Sequence, residues 1–189
     1  MATKNIMIVG VGGQGTLLTS RILGGITTAA GYDVKLSEVH GMSQRGGSVV
    51  TYVRYGENVA EPIVEEGHAD VLIAFERLEA LRYAHFLKKD GVIIANDQRI
   101  DPITVVTGQA EYPENILEKL SEKYKVISVD AMAEAKKIGN AKVFNTIIIG
   151  VAAKHMDFEH DKWVEVIKST VPPKTIDINL KAFEVGYNL

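Results

Sequence analysis

Residues 5 to 15 decide the fold: the apolar run Asn5-Ile6-Met7-Ile8-Val9 leads into Gly10-Val11-Gly12-Gly13-Gln14-Gly15. The run is typical of a buried β-strand, and residues 16–30 have the apolar spacing of a helix. Glycines 10, 12 and 15 match the dinucleotide-binding spacing G-x-G-x-x-G. A helix N-terminus carries unpaired N–H groups and a partial positive charge. This strand, turn and helix start therefore predict a cradle for a phosphate or another anion.

Two interpretations of the first glycine loop stay open at this point. The glycines either hold a ligand or only permit a sharp turn with close packing. Gln14 has no evident packing role at the tip of a turn, so we expect its amide to face a polar ligand or a partner surface. A nicotinamide or flavin dinucleotide would further need an acid at the end of the second strand, and Glu38 falls near that place.

The second glycine loop reads Ser43-Gln44-Arg45-Gly46-Gly47 and follows a predicted second strand at 33–39. The guanidinium of Arg45 can hold a carboxylate or phosphate through two hydrogen bonds. We expect the first two strands to form a parallel pair joined by a right-handed crossover. Both glycine loops would then lie at carboxyl ends of strands and line one crevice. The alternative is a solvated hairpin with a surface arginine.

The rest of the chain alternates strand and helix patterns. Strands are predicted at 48–55, 70–74, 91–96 and 126–129, with an edge strand at 104–106. Helices are predicted at 77–88, 113–124, 131–138, 145–155, 161–169 and 175–185, with Asn145 as a cap. Gly24 and Gly25 are expected to let the first helix pack closely on the sheet. The pattern predicts a single three-layer, Rossmann-like α/β domain over residues 1–189 with a mostly parallel sheet.

Composition narrows the classes of function. The chain has 189 residues and a net charge of −3, which gives no electrostatic reason to expect nucleic acid or a membrane surface as partner. No apolar run has the length of a membrane span, and the chain starts without a signal-peptide pattern, so we expect a cytoplasmic protein. It contains no cysteine, which excludes disulfides, thiol catalysis and a thiolate-bound iron–sulfur cluster within this polypeptide.

The other polar side chains do not form a recognisable group of catalytic or metal-ligating residues. His40 is more typical of a structural histidine than of a general base. The acidic and basic side chains of Glu76, Glu79 and Arg82 have helical spacing and are expected to form an exposed ion-pair face. We therefore expect no catalytic residue and no metal ligand in this chain.

Gly10–Gly15 and residues 38–49 together resemble the gamma-type subunits of 2-oxoacid:ferredoxin oxidoreductases. Within that family the chain is most similar to the beta subunits of indolepyruvate:ferredoxin oxidoreductases. The resemblance covers essentially the whole chain, with individually weaker agreement at Ala69–Leu72, Glu76, Glu79–Ala80, Asn96, Pro102, Tyr112–Pro113, Asn145 and Gly150.

The resemblance implies oxidative decarboxylation of an arylpyruvate, with coenzyme A as acyl acceptor and ferredoxin as electron acceptor. It places thiamine diphosphate and the iron–sulfur clusters on a larger partner subunit, and it implies that this chain is inactive alone. We expect coenzyme A phosphates or the partner subunit to contact the two glycine loops, at Gly12, Gly13, Gln14, Gly15, Ser43, Gln44, Arg45 and Gly46.

Two other functions remain open from the sequence. The first is a stand-alone NAD(P)-binding oxidoreductase, for which the glycine spacing and Glu38 argue. The second is a purely structural docking domain in which both glycine loops face the partner chain. The choice of indolepyruvate among 2-oxoacids depends on the resemblance alone.

Overall fold

The sheet has six strands in the spatial order β2-β3-β1-β4-β5-β6. The computed structural model of the protein describes residues 3–41 and 46–189. The strands are β1 Lys4–Val11, β2 Asp33–His40, β3 Ser48–Gly56, β4 Ala69–Ala74, β5 Leu87–Asn96 and β6 Lys125–Val129. Strands β1, β4, β5 and β6 run parallel, whereas β3 runs antiparallel to both of its neighbours. The predicted mostly parallel sheet is confirmed.

One predicted strand pairing is wrong. β1 and β2 point the same way, but β3 lies between them, with Val9 of β1 opposite Val50 and Val39 of β2 opposite the same residue. The crossover through the first helix leaves one strand position between β1 and β2, and β3 occupies it. β2 and β3 are consecutive in the chain and pair antiparallel as a hairpin, and the second glycine loop belongs to the connection between them.

Eight helices lie on the two faces of the sheet in the part of the chain that the structure describes. They are α1 Thr16–Ala29, α2 Arg77–Tyr83, α3 Ile103–Val106, α4 Ile116–Ser121, α5 Ala131–Ile138, α6 Phe144–Ala153, α7 His160–Thr170 and α8 Ile176–Asn188. Side chains of α1, α5, α6, α7 and α8 share a core on one face, and those of α2 and α4 share a core on the other. The predicted three layers are confirmed, and no described helix has the length and apolar character needed to cross a bilayer.

Three local predictions are corrected. The helix predicted at 77–88 ends at Tyr83, a short 3-10 turn follows, and β5 begins already at Leu87. The edge strand predicted at 104–106 is the helical turn α3, because the Pro102 carbonyl accepts hydrogen bonds from the N–H groups of Val105 and Val106. Asn145 does not cap a helix, since α6 already begins at Phe144.

Glycines set the closest approaches between layers. A Cβ at Gly24 would meet Leu36 of β2 at 3.0 Å, which confirms close packing of α1 on the sheet, whereas one at Gly25 would meet Val166 of α7 at 2.8 Å. The tightest contact joins α6 to α8. A Cβ at Gly186 would lie 1.9 Å from the backbone oxygen of Ile147, so the two helix backbones touch there.

Candidate functional site

The carboxyl ends of β1 and β4 form the point at which the helices change sides. α1 follows β1 and packs on one face of the sheet, whereas α2 follows β4 and packs on the other. Open α/β sheets bind ligands in the crevice that such a reversal creates. The first glycine loop leaves β1 at this place.

Gly46 and Gly47 of the second glycine loop are hydrogen-bonded to Gly12 of the first. The Gly12 N–H donates to the Gly47 carbonyl at 2.8 Å, and the Gly46 N–H donates to the Gly12 carbonyl at 3.5 Å. Gly46 has a φ of 78°, a conformation that glycine adopts without steric cost. The predicted ligand residues Ser43, Gln44 and Arg45 lie outside the described residues. The hairpin end is therefore joined to the glycine loop through its backbone.

Within the first glycine loop, Gly13 has open space at its Cβ position. Its φ is 101° and no atom lies within 4 Å of a Cβ built there. At Gly15, with φ 88°, a Cβ would meet Asn145 Nδ2 at 2.3 Å, so this glycine serves packing against α6. The Gly12 N–H is already bonded. The loop backbone is thus open to its surroundings at Gly13.

The expected role of the Gln14 side chain is wrong. Gln14 is 7% exposed, and its Oε1 accepts a hydrogen bond of 2.7 Å from the Val11 N–H. Its Nε2 donates to the Phe75 carbonyl at 3.0 Å and to Gln98 Oε1 at 3.1 Å. The amide thus ties the end of β1 to the residue after β4 and fills the crevice itself. Buried amides are satisfied internally in this way.

Beside the plugged crevice lies a shallow cleft of about 410 Å³. It is lined by Gly12, Gly13, Gly15, Thr16, Leu17, Glu38, His40 and Val49. Glu38 therefore does reach the cleft, although from a strand separated from β1 by β3, and its Oε2 accepts a hydrogen bond from Thr51 Oγ1 at 3.1 Å. The cleft offers the helix N-terminus on one side and a carboxylate on the other.

The expected exposed ion-pair face on α2 is wrong for both acids. Glu76 is 1% exposed and Glu79 is 4% exposed, although Arg82 does pair with Glu79 at 3.5 Å. The Glu76 carboxylate accepts from Tyr112 Oη at 2.5 Å, from the Ile100 N–H at 3.1 Å and from the Glu79 N–H at 3.0 Å. Burial, followed by the hydrogen bond to Glu76, raises the pKa of Tyr112, which keeps its hydroxyl a donor. The sequence analysis did not predict the buried Glu76 carboxylate with its three hydrogen-bond donors. The position of Glu76 shortly after a fully apolar strand was a signal for it.

The second buried acid holds the base of the hairpin. Ser48 Oγ, on the first residue of β3, donates to Glu79 Oε2 at 2.5 Å, and Tyr83 Oη lies 3.4 Å from the same hydroxyl. Burial raises the pKa of Glu79, whereas its hydrogen bond to Ser48 opposes that shift. Glu79 thus positions the strand that follows the second glycine loop.

A larger cleft of about 660 Å³ lies between α4 and β6. Its two arginines already have carboxylate partners: Arg77 pairs with Asp97, and Arg99 Nε lies 2.6 Å from Asp101 Oδ1. The charges are therefore balanced within the protein, and this cleft offers no free cation to an anionic ligand.

Known proteins are similar to this chain in both sequence and fold. The family model for pyruvate ferredoxin/flavodoxin oxidoreductase matches residues 5–189. The indolepyruvate oxidoreductase subunit IorB of Thermococcus kodakarensis is 45% identical over 98% of this chain and 95% of its own length. These findings confirm the resemblance inferred from the glycine loops.

Two solved structures show the same fold. The gamma subunit of a keto/oxoacid ferredoxin oxidoreductase from Geobacter sulfurreducens matches with a TM-score of 0.73 and 22% identity, over 98% of this chain and 96% of that one. The 2-oxoglutarate:ferredoxin oxidoreductase from Magnetococcus marinus, solved with 2-oxoglutarate, coenzyme A and succinyl-CoA, matches with a TM-score of 0.76 and 17% identity, over 100% of this chain and 31% of that one. With a family match across the chain and a near full-length relative, this protein belongs to the pyruvate ferredoxin/flavodoxin oxidoreductase family.

Proposed function

We propose that this chain is the small subunit of a heteromeric 2-oxoacid:ferredoxin oxidoreductase acting on an arylpyruvate such as indolepyruvate. The observation that carries the proposal is the 45% identity to an indolepyruvate oxidoreductase subunit over nearly the full length of both chains. The complex would oxidatively decarboxylate the 2-oxoacid, transfer the acyl group to coenzyme A and pass two electrons to ferredoxin.

The residues of this chain fit a subunit without redox cofactors of its own. It has no cysteine to ligate an iron–sulfur cluster. In residues 3–41 and 46–189, no group of three His, Asp or Glu side chains is arranged to hold a metal ion. From the family resemblance we infer that thiamine diphosphate and the clusters belong to the larger partner subunit, and that this chain supplies binding and positioning.

The proposed contribution of the glycine loop is to hold an anionic part of coenzyme A. Gly13 leaves its side of the cleft open, and α1 begins directly behind it with no side-chain cap. Such a helix start favours a phosphate. Arg45 of the adjoining loop would add a charge-assisted hydrogen bond. Glu38 on the opposite wall disfavours an anion and would instead accept from a ribose hydroxyl.

The experiment that tests the proposed function is co-expression with the larger subunit encoded in the same organism. We expect ferredoxin reduction with indolepyruvate and coenzyme A from the purified complex, and none from either subunit alone. A chain that purifies as a lone monomer and binds NADH saturably would contradict the proposal, and it would favour the nicotinamide-dependent alternative instead.

The coenzyme A contact has its own test in the assembled complex. The double variant Gly13→Val, Arg45→Ala is expected to weaken coenzyme A binding by calorimetry at least about ten-fold, or roughly 1.4 kcal/mol. The valine places a branched side chain in the open cleft, and the alanine removes the guanidinium.

The matched control for that double variant is Gly31→Val. Gly31 also has a positive φ, 84°, and no atom within 4 Å of a built Cβ, but it lies after the far end of α1. The valine at position 31 should strain the backbone as much as the valine at position 13, and it should leave the coenzyme A affinity unchanged. Equal coenzyme A affinity in the wild type and the double variant would show that the two glycine loops do not bind coenzyme A. The remaining proposal for these loops would then be docking to the partner subunit.

A further inference from the structure

The segment between β5 and α4 displays two unusually exposed aliphatic side chains. Ile103 is 73% exposed and Val106 is 68% exposed; among the residues that the structure describes, no other large hydrophobic side chain exceeds 57%. Both belong to α3, three positions apart, and so project from one face of the same turn. We call this pair the α3 knob.

The α3 turn is held in place from within. Val105, between the two knob residues, packs against the core that α2 and α4 share. The turn is closed by the Pro102 carbonyl, and the N–H groups of Gln109 and Ala110 return to the Thr104 carbonyl at 2.8 and 3.0 Å. The Val105 side chain therefore anchors the turn, while the side chains of Ile103 and Val106 are exposed.

The base of the segment is equally fixed. The buried Glu76 carboxylate holds the Ile100 N–H on one side of α3 and the Tyr112 hydroxyl on the other. The Arg99 guanidinium lies over the Tyr112 ring at 4.3 Å. A preorganised projection loses little conformational entropy on binding, which favours its use as a contact.

The segment with the α3 knob begins at the same end of the sheet as the first glycine loop, where we expect the partner subunit to bind. β1 and β5 run parallel in the sheet, so the chain following β5 leaves from the same edge as the glycine loop after β1. A partner that covers the first glycine loop therefore approaches the carboxyl ends of the strands, where the segment with the α3 knob also begins.

A second copy of this chain is a poor occupant. Two knobs meeting across a two-fold axis would bury far less than the roughly 800 Å² per partner of a stable interface. The apolar groove of about 710 Å³ beside α1, lined by Gly24, Leu36 and Val166 among others, could receive the knob of another copy. That contact joins different surfaces and builds a ring or an open filament of copies rather than a two-fold dimer. A one-to-one complex in which the knob is covered instead has its socket on a different chain.

We propose that the α3 knob inserts into an apolar socket on the larger, cofactor-bearing subunit and anchors the small subunit to it. This inference rests on the proposed function, because it takes the existence of that subunit from there. Side chains that fill well-packed, fully desolvated pockets carry most of the binding energy of an interface, and an Asp carboxylate in an apolar socket loses its water without gaining a partner.

The test is the double variant Ile103→Asp, Val106→Asp in complexes reconstituted from separately purified subunits. The matched control is Ile63→Asp, an exposed aliphatic residue, 44% exposed, in the connection between β3 and β4 at the opposite edge of the sheet. We expect the knob variant to bind the larger subunit at least about 100-fold more weakly, and the control to bind like wild type. Thermal melts of the isolated small subunits should be unchanged, since both sites are exposed.

The outcomes separate this inference from the proposed function. Wild-type affinity in the knob variant overturns the inference and leaves the proposed function standing. Failure of the wild-type chain to bind the larger subunit overturns the proposed function itself. A wild-type small subunit that self-associates, with a monomeric knob variant, would show that a second copy occupies the knob and would also overturn the inference.

Discussion

Alanine at Gly186 is expected to lower the free energy of unfolding by at least about 3 kcal/mol. The new Cβ would lie 1.9 Å from the Ile147 carbonyl oxygen and 2.7 Å from its carbon, which are backbone atoms of α6 and cannot rotate away. Helices α6 and α8 must then separate, and the core around them loses its packing. Urea denaturation followed by the fluorescence of Trp163, which is fully buried, measures the loss.

Gly24→Ala is the matched control, since Gly24 also lies inside a helix. Its Cβ would meet only the end of the Leu36 side chain, at 3.0 Å, and that side chain can shift. Alanine is favoured over glycine in a helix by roughly 1 kcal/mol, so this variant should be neutral or stabilised. A Gly186→Ala protein as stable as the control would show that α6 and α8 do not pack backbone to backbone.

Replacing Glu76 by alanine is expected to cost about 3 kcal/mol or more. The change removes the side-chain cap of α2, worth about 1 kcal/mol, and leaves the Tyr112 hydroxyl and the Ile100 N–H without their partner, at about 1–3 kcal/mol for each buried group. Chemical denaturation gives the total. Hydrogen exchange at the Ile100 amide should rise far more than exchange in β1, because the segment bearing α3 loses its anchor.

Asp130→Ala provides the comparison for Glu76→Ala. The Asp130 side chain also caps a helix, accepting from the Ala133 N–H at 2.9 Å, but this contact is exposed. Only the cap contribution of about 1 kcal/mol should be lost there. Equal losses in the two variants would mean that Glu76 is no more than a helix cap.

Local patterns in the sequence predicted much of this fold. The strand, glycine turn and helix of residues 5–30 were predicted nearly to the residue, because their signals lie within one short stretch. The position of β3 between β1 and β2 was not predicted. The pairing of Val50 with both Val9 and Val39 depends on contacts that local sequence patterns do not show. The segment at 104–106 has strand-forming residues, yet the Pro102 carbonyl closes it into a turn.

The sequence predicts two neighbouring glycine loops, and Gly46 and Gly47 do contact Gly12, but it does not predict the burial of Gln14 and Glu76. The strand that leads into the second loop is β2, which β3 separates from β1. Gln14 and Glu76 were assigned to the surface, because a polar side chain after an apolar strand has the same sequence signature whether it faces water or a buried donor. Their burial follows from the way in which the ends of β1, β4 and β5 come together.

Gln14 acts as a built-in substitute for a ligand. Its amide accepts from a backbone donor on β1 and donates to a backbone carbonyl after β4, so both groups are already satisfied within the chain. Under the proposed function, coenzyme A would then lie in the shallow cleft beside Gln14, with one of its faces uncovered. Such a half-enclosed site is completed only when another surface closes over it, so assembly itself would create the binding pocket.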